Sequence, residues 1–232
     1  MIMLQDKDIS PQAPCPYIDG NACQYEYFFA YNLSAGELDT LLSQGWRKFG
    51  FYYFRPSCTC SECIPLRIPV QNFALSKSQR RIMKKNSDIQ FRITPLEYRD
   101  EIYEIYQEHS RVRFDKEDSK ENFMEQFFMP SCPSALSEFY LKELLVGVGF
   151  LDISSNGLSS VYFIYRQEVL DRSFGIFSML AEIECAGAMG KLFYYPGFYV
   201  KGNPRMAYKA SLRPHEQFDI KKGIWKIWTD RN

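Results

Sequence analysis

Apolar positions along this chain recur with two different periods, and each change of period marks an element boundary. Between Gln24 and Asn32, aromatic side chains alternate with smaller or polar ones, the two-residue period of a half-buried strand. Ser34 then stands where a helix would be capped, and the pattern predicts a helix through Gln44 that stops at Gly45. Strand character returns over Phe49 to Arg55 and again over Ile64 to Phe73, on either side of a cysteine-rich turn. Ser76 and Gln79 have the S-x-x-Q spacing of a capping box, so the next helix begins there. Tyr98 to Tyr106 and Glu121 to Phe127 read as amphipathic helices joined by the charged stretch Arg111 to Lys120. Phe91 to Leu96 is the expected linker between two halves.

From Glu138 the rhythm changes. FYLKELLVGVGFLDISSNGLSSVYFIYR reads as strand, turn, strand, with Asn156 and Gly157 marking a hairpin. Ser173 to Met189 has the length and small-residue content of a buried helix ending at Gly190, and LFYYPGFYV is a further strand. Strands followed by a central helix and another strand predict an α+β or α/β unit whose sheet carries the helix on one face. The expected class is α+β: a small N-terminal cysteine-containing domain over residues 1–92, and a second domain over residues 93–232. The chain shows no internal repeat and no low-complexity tract.

Composition sharpens one feature of this outline. The 232 residues carry a formal net charge of zero, with 46% apolar and 24% charged residues, which excludes wholesale disorder. Against that neutral background, Lys77, Arg80, Arg81, Lys84 and Lys85 fall on one face of the helix that starts at Ser76. Like charges so close repel one another, and a polyanion relieves the repulsion. The alternative is a solvated helix face; an RNA phosphate backbone is the preferred partner. Aromatic content of 16% fits either a tightly packed core or a pocket that stacks planar groups. No apolar stretch is long enough to span a bilayer, and MIMLQDKDISPQ lacks the features of a signal peptide, so no membrane partner and a cytoplasmic location are expected.

In a reducing compartment the seven cysteines are expected to be thiols or metal ligands. Cys58, Cys60 and Cys63 form a C-x-C-x2-C group between Pro56 and Pro65, and Cys15 and Cys23 lie in a second turn-rich segment. Thiolates are soft donors that suit zinc or an iron-sulfur cluster, and Cys15 with Cys58, Cys60 and Cys63 would make a set of four. The competing reading is free, partly buried thiols. Cys132 and Cys185 stand alone and read as packing residues.

Several strings together resemble the aminoacyl-tRNA-protein transferase family, the bacterial leucyl and eukaryotic arginyl transferases of the N-degron pathway. They are CPYI at Cys15, GWRKFGFYYFRPSC at Gly45, CIPLRIPVQNFALSKSQRRIMKKN at Cys63 and VGVGFLDI at Val146. GLSSVYFIY at Gly157, RSFGIFSMLAEIECAGAMG at Arg172, YYPGFYV at Tyr194 and MAYKASLRPHE at Met206 complete the match over nearly the whole chain. The resemblance implies an acetyltransferase-like (GNAT) fold for the C-terminal half. It also implies transfer of an amino acid, leucine in the bacterial branch, from aminoacyl-tRNA to the N-terminal α-amino group of an acceptor protein. That reaction is attack of an amine on an ester already activated, so it needs alignment and oxyanion stabilisation but no covalent intermediate and no cofactor. His109 and His215 are accordingly read as structural.

The resemblance also suggests roles. Lys77, Arg80, Arg81, Lys84 and Lys85 grip tRNA phosphates, with Arg47 and Arg67 as helpers. Asp152 orients or deprotonates the amine, or else caps a turn. Ser159, Ser160 and Tyr162 line the aminoacyl pocket, unless Tyr162 is core, and Tyr208 with Lys209 meets the terminal adenosine or its phosphate. Eukaryotic relatives hold an iron-sulfur cluster on N-terminal cysteines, which strengthens the metal reading for Cys15, Cys58, Cys60 and Cys63. The chain departs from its relatives at the second cysteine group, which is usually C-x2-C-x2-C. It departs again at YQEHSRVRFDKED from Tyr106, where relatives carry an R-H pair and a glycine turn. Two other classes compete: a non-enzymatic tRNA-binding protein, and a coenzyme A-dependent acetyltransferase. Against the latter, RSFGIF lacks the second glycine of a pyrophosphate loop.

Overall fold

A computed structural model describes residues 1–114 and 117–228. The N-terminal third opens with β1 (Ile2–Ile9), a short ribbon of β2 (Ala13–Pro14) and β3 (Ala22–Cys23), β4 (Tyr25–Tyr31) and α1 (Ala35–Ser43). Ser34 caps α1 through a capping box: its hydroxyl accepts from the Glu37 amide, and the Glu37 carboxylate accepts from the Ser34 amide at 2.8 Å. β5 (Arg47–Phe49) and β6 (Tyr52–Pro56) follow as a hairpin, and β1-β4-β6-β5 form a four-stranded sheet. Leu38, Leu41 and Leu42 of α1 pack on Phe28, Trp46 and Tyr53 of that sheet.

The remaining strands build one mixed sheet of eight, in the order β14-β13-β7-β12-β11-β10-β9-β8. In chain order its parts are β7 (Cys63–Pro69), α2 (Lys77–Lys85), β8 (Ile89–Pro95), α3 (Asp100–Phe114), α4 (Lys120–Phe127), β9 (Ser134–Leu141), β10 (Leu144–Ile153) and β11 (Gly157–Tyr165). They continue with α5 (Phe174–Ala188), β12 (Phe193–Val200), α6 (Pro204–Ala207), a 3-10 turn over Tyr208–Ser211, β13 (Glu216–Asp219) and β14 (Ile224–Ile227). Every pairing is antiparallel except β11 with β12, which α5 connects as a β-α-β unit. The sheet is buried on both faces. On one face, Met179, Leu180 and Ile183 of α5 meet Ile68, Leu151, Leu158 and Tyr194, with Ile82 and Met83 of α2 alongside. On the other, Ile102, Ile105 and Tyr106 of α3 and Phe123 and Phe127 of α4 cover Leu136, Val148, Phe150 and Ile164. Tyr195 joins the α1 cluster and so packs the small sheet onto the large one.

Three sequence expectations need correction. The strand expected over residues 49–55 is a hairpin, because Gly50 adopts φ +53° and reverses the chain, with its amide bonded to the Gln126 carbonyl of α4 at 2.8 Å. Residues expected as a linker, 91–96, lie largely within β8, which pairs with β9 from Ile89 to Pro95. The segment from Phe139 holds a second reversal at Lys142, where φ is +58°, so it belongs to three strands and not two. The boundary expected after Arg92 therefore falls inside a strand, and β7, from before it, is hydrogen-bonded between β12 and β13 from after it. The charged stretch 111–120 begins as the end of α3; its residues 115–116 lie outside the described residues.

α3 is fastened to the end of β11 by polar groups along its length. Arg166 reaches Glu101, Glu104 and Glu108 along the helix, and the buried His109 accepts the Tyr165 amide on Nδ1 at 3.3 Å. Burial pushes the His109 imidazole down to about 4, with the Tyr165 backbone opposing and Arg113 assisting. Because the folded value lies below the ordinary 6.5, this histidine contributes stability that is full above 6.5 and lost as the pH falls towards 4. Urea unfolding at pH 7 and pH 4.5 should show wild type losing on the order of 2 kcal/mol more than His109→Gln across that interval.

Candidate functional site

The basic helix forms as its capping signal requires. The Ser76 hydroxyl accepts the Gln79 amide, and the Gln79 side-chain oxygen accepts the Ser76 amide at 2.9 Å. Gln79 is itself buried, and its side-chain nitrogen donates to the Ser211 carbonyl at 3.1 Å, which ties the start of α2 to the Tyr208–Ser211 turn. Ile82 and Met83 point inward, while Lys77, Arg80, Arg81, Lys84 and Lys85 are all exposed. Among the described residues none of the five is ion-paired; Asp88, the nearby acid, is bonded to Arg172 at 2.6 Å instead. Arg80 and Lys85 donate only to the main-chain oxygens of Leu75 and Asp171.

A second cationic centre lies where the parallel strands part. β11 and β12 pair only from Gly157 to Ser159 against Phe193 to Tyr195, and beyond that point their main chains separate. β11 bulges at Val161, since Phe150 and Leu151 of β10 face Tyr162 and Ser160 in turn. Arg47, from β5 of the small sheet, fills the opening. Its guanidinium donates to the Ser159 hydroxyl at 2.8 Å, to the Tyr195 carbonyl at 3.3 Å and to the Ser160 carbonyl. On the far side of the opening, Gly197 adopts φ +96°, and a side-chain carbon there would stand 3.3 Å from Lys209 Nζ and 3.7 Å from Arg47 Nη2. Burial, reinforced by Arg47, pushes the Lys209 ammonium down to about 7. Tyr208 lies beside it against the α5 face, its phenol raised first by burial and then shaped by Arg113, Tyr165 and Glu182.

Adjacent residues in a strand point to opposite sides, so Lys48 leaves Arg47 and enters the interior. Its ammonium meets Asp152 at 3.1 Å, and Ser134 donates to the same carboxylate at 3.0 Å. Asp152 is 3% exposed and Lys48 8%, so both partners are sealed from solvent. Burial opposes the Lys48 charge, but the Asp152 carboxylate outweighs it and raises the ammonium. Glu182 on α5 is also fully buried, and it accepts from Ser137 at 2.8 Å and Tyr194 at 2.6 Å. Burial pushes this carboxyl up, against those bonds and one from Ser160.

The expected pocket residues are therefore only partly gathered. Ser159, Ser160 and Lys209 meet at the strand opening, with Tyr208 next to it; Tyr162 stacks on Phe127 with ring centroids 5.2 Å apart and stays half-buried. Asp152 stands opposite Ser159 in the β10–β11 register and acts on Arg47 through space, but it is ion-paired with Lys48. Sequence reasoning missed the Lys48 pairing, Glu182 and the notch at Gly197. One signal was present, because two consecutive cations in the alternating strand of GWRKFG place one of them inside the fold.

Five cysteines converge from two turns: Cys15, Cys23, Cys58, Cys60 and Cys63 lie near enough to act electrostatically on one another and on Tyr17 and Tyr25. Cys23 was not in the set expected from spacing. The donors are of the right kind for a thiophilic metal, but their placement is not. Cys58 Sγ donates to the Gln24 carbonyl and accepts the Gln24 amide, Cys23 Sγ donates to the Pro14 carbonyl, and among the described residues no three metal-binding side chains are placed to hold an ion. Burial pushes the Cys63 thiol up to about 12, with the neighbouring cysteines adding to it. A cavity of about 610 Å³ lies between this turn and the β13-β14 hairpin, lined by Cys58, Cys63, Phe218 and Trp228 among others. Among the described residues no helix is long and apolar enough to cross a membrane.

Two family models match the chain: arginine-tRNA-protein transferase, N terminus, over residues 13–81, and arginine-tRNA-protein transferase, C terminus, over residues 99–219. An aspartate/glutamate leucyltransferase of Alkalilimnicola ehrlichii is 34% identical, over 88% of this chain and 89% of its own length. The protein of the same description from Helicobacter hepaticus is 30% identical, over 93% of this chain and 91% of its own length. Among solved structures, the C-terminal domain of a putative lysylphosphatidylglycerol synthetase from Agrobacterium fabrum is similar with a TM-score of 0.47 at 8% identity, over 70% of this chain and 51% of that one.

The buried Lys48–Asp152 pair gives a direct stability test. Asp152→Asn leaves a sealed ammonium without its counter-charge and should cost about 3–5 kcal/mol in urea unfolding, whereas the double replacement Lys48→Met with Asp152→Leu should recover most of that loss.

Proposed function

The chain belongs to the arginine-tRNA-protein transferase family, and on that premise we propose that it moves leucine from leucyl-tRNA to the N-terminal amine of proteins beginning with aspartate or glutamate. The observation that carries this reading is the unpaired basic face of α2, joined by the Gln79–Ser211 bond to the turn that bears Tyr208 at the strand opening. A surface suited to phosphates is thereby coupled to a cleft suited to the end of a nucleic acid. The relatives described as aspartate/glutamate leucyltransferases support leucine as the donor and acidic residues as the acceptors.

In the transfer, the acceptor's uncharged α-amino nitrogen attacks the ester carbon of leucyl-tRNA. A carbon–nitrogen bond forms, the carbon–oxygen bond to the terminal ribose breaks, and the nitrogen's surplus proton passes to the ribose oxygen as it leaves. Lys77, Arg80, Arg81, Lys84 and Lys85 hold the phosphates, Tyr208 meets the terminal adenosine, and Ser159, Ser160 and Tyr162 border the aminoacyl group. Asp152 acts as a positioning residue: by fixing Lys48 it fixes the strand that delivers Arg47 to the opening. Most of the acceleration is alignment of two large substrates in a water-poor gap.

An acetyltransferase-like plan for residues 93–232 is supported by the β11-α5-β12 unit, whose strands part after a short pairing, and by the bulge at Val161. Residues 1–92 supply the phosphate grip and the cysteine turns. Cys15, Cys58, Cys60 and Cys63, joined by Cys23, are the place where a thiophilic metal or iron-sulfur cluster would be taken up, after movement of the turns; no step of the transfer passes through it. The new N-terminal leucine marks the acceptor for degradation.

The test is a transfer assay with labelled leucyl-tRNA and peptides beginning with Asp, Glu, Arg or Lys, run at several salt concentrations. Wild type should label the acidic peptides. Arg80→Gln and Arg81→Gln together should raise KM for leucyl-tRNA and flatten the dependence of log affinity on log salt by about 2, roughly one for each phosphate contact removed. Unchanged transfer and an unchanged salt slope would remove α2 from the tRNA site.

A further inference from the structure

Arg47 and Lys209 bring two cations together in the strand opening with no carboxylate between them. Arg47's three hydrogen bonds go to neutral oxygens, those of Ser159, Ser160 and Tyr195, and the carboxylate whose charge reaches it through space is that of Asp152. The Lys209 ammonium has neither a hydrogen bond nor an ion pair among the described residues, although the residue is half-buried. The acids nearby are already engaged. Asp152 is bonded to Lys48 and Ser134, and Glu182 to Ser137 and Tyr194. Two half-buried cations facing one another repel, and an arriving anion relieves both at once.

The shape of the place limits which anion that is. The two side chains converge on Gly197: a side-chain carbon there would stand 3.3 Å from Lys209 Nζ and 3.7 Å from Arg47 Nη2, so the missing side chain leaves only a narrow notch beside the two cations. A guanidinium edge and an ammonium across a narrow notch suit a small planar carboxylate that sheds its water on entry. The exposed cations of α2, in contrast, suit phosphodiesters that stay hydrated. An enzyme that accepts Asp or Glu and refuses their amides must tell apart groups of equal size and shape. Only a desolvated positive charge makes that distinction strongly, because screened surface lysines contribute little.

Resting on the leucyltransferase reading, we propose that Arg47 and Lys209, above the notch at Gly197, bind the side-chain carboxylate of the acceptor's first residue and set the acidic preference. Lys209 is then a specificity residue for the protein substrate, not a contact to the tRNA. Arg47 has a second duty in closing the strand opening, so Lys209 is the position to vary.

The experiment compares kcat/KM for peptides identical except for a first residue of Asp or Asn, with wild type, Lys209→Gln and Lys209→Arg. It also measures the affinity of each protein for leucyl-tRNA by filter binding and for the two peptides by calorimetry. Lys209→Gln should reduce the Asp-over-Asn preference at least tenfold, chiefly through KM for the Asp peptide, and Lys209→Arg should restore most of it. Leucyl-tRNA affinity should not change. A Lys209→Gln protein that keeps the preference overturns the assignment, and one that loses leucyl-tRNA affinity instead overturns it and places a phosphate at the notch. The two readings fail separately: wild type that transfers to no peptide yet binds the Asp peptide through Lys209 refutes the transfer alone. Transfer that is intact but indifferent to Lys209 refutes the carboxylate site alone. Thermal unfolding of Lys209→Gln should match or exceed wild type, since the replacement removes an unpaired, half-buried charge.

Discussion

The structure turns on the one place where its large sheet fails to close. β11 and β12 run parallel, pair over three residues each and then part, and at the gap the carbonyls of Ser160 and Tyr195 accept from Arg47. Main-chain acceptors left unpaired away from water are costly, and an arginine from a different sheet meets that need. Arg47 is therefore both a plug and a bridge, since its donors satisfy the gap and its strand fastens the small sheet to the large one. The cleft exists because the gap is held open at a fixed width by a rigid planar group.

Charge is distributed by the same logic. A chain with no net charge pairs its ions where they are drawn into the fold: Arg166 with three glutamates of α3, Arg99 with Glu138, Arg67 with Glu216, Lys48 with Asp152. Among the described residues, the outer face of α2 and the Arg47–Lys209 couple have no such ion pair. One is wet and broad, the other dry and narrow. That difference in hydration suggests two different anions for two different substrates, because a charge in water attracts a polyanion loosely while a charge out of water selects a single small group.

Much of the fold was legible in the sequence where local chemistry and tertiary packing agree. The capping boxes at Ser34 and Ser76, the Asn156-Gly157 reversal and the helix ending before Gly190 all stand where the residues place them. β1 was not legible because it is exposed along its whole length and so has no alternation to read. β8 looked like a linker because Arg92, Thr94 and Pro95 interrupt its apolar positions, and its strand form comes from pairing with β9, not from its own composition. For the site, the basic helix could be read from spacing alone. The strand opening could not, since it depends on where two strands stop pairing, and the burial of Asp152 depends on a lysine more than 100 positions earlier.

Gln79 has one further implication. A single side-chain amide closes the capping box of α2 and, with its other end, holds the main chain two residues beyond Lys209. The helix and the turn thus form a lever with a shared pin. Ile82 and Met83 of α2 also pack against the same apolar cluster as Tyr208, so helix and turn are joined by polar and apolar contacts alike. One buried glutamine thus sets the spacing between a surface helix and the segment that carries Lys209.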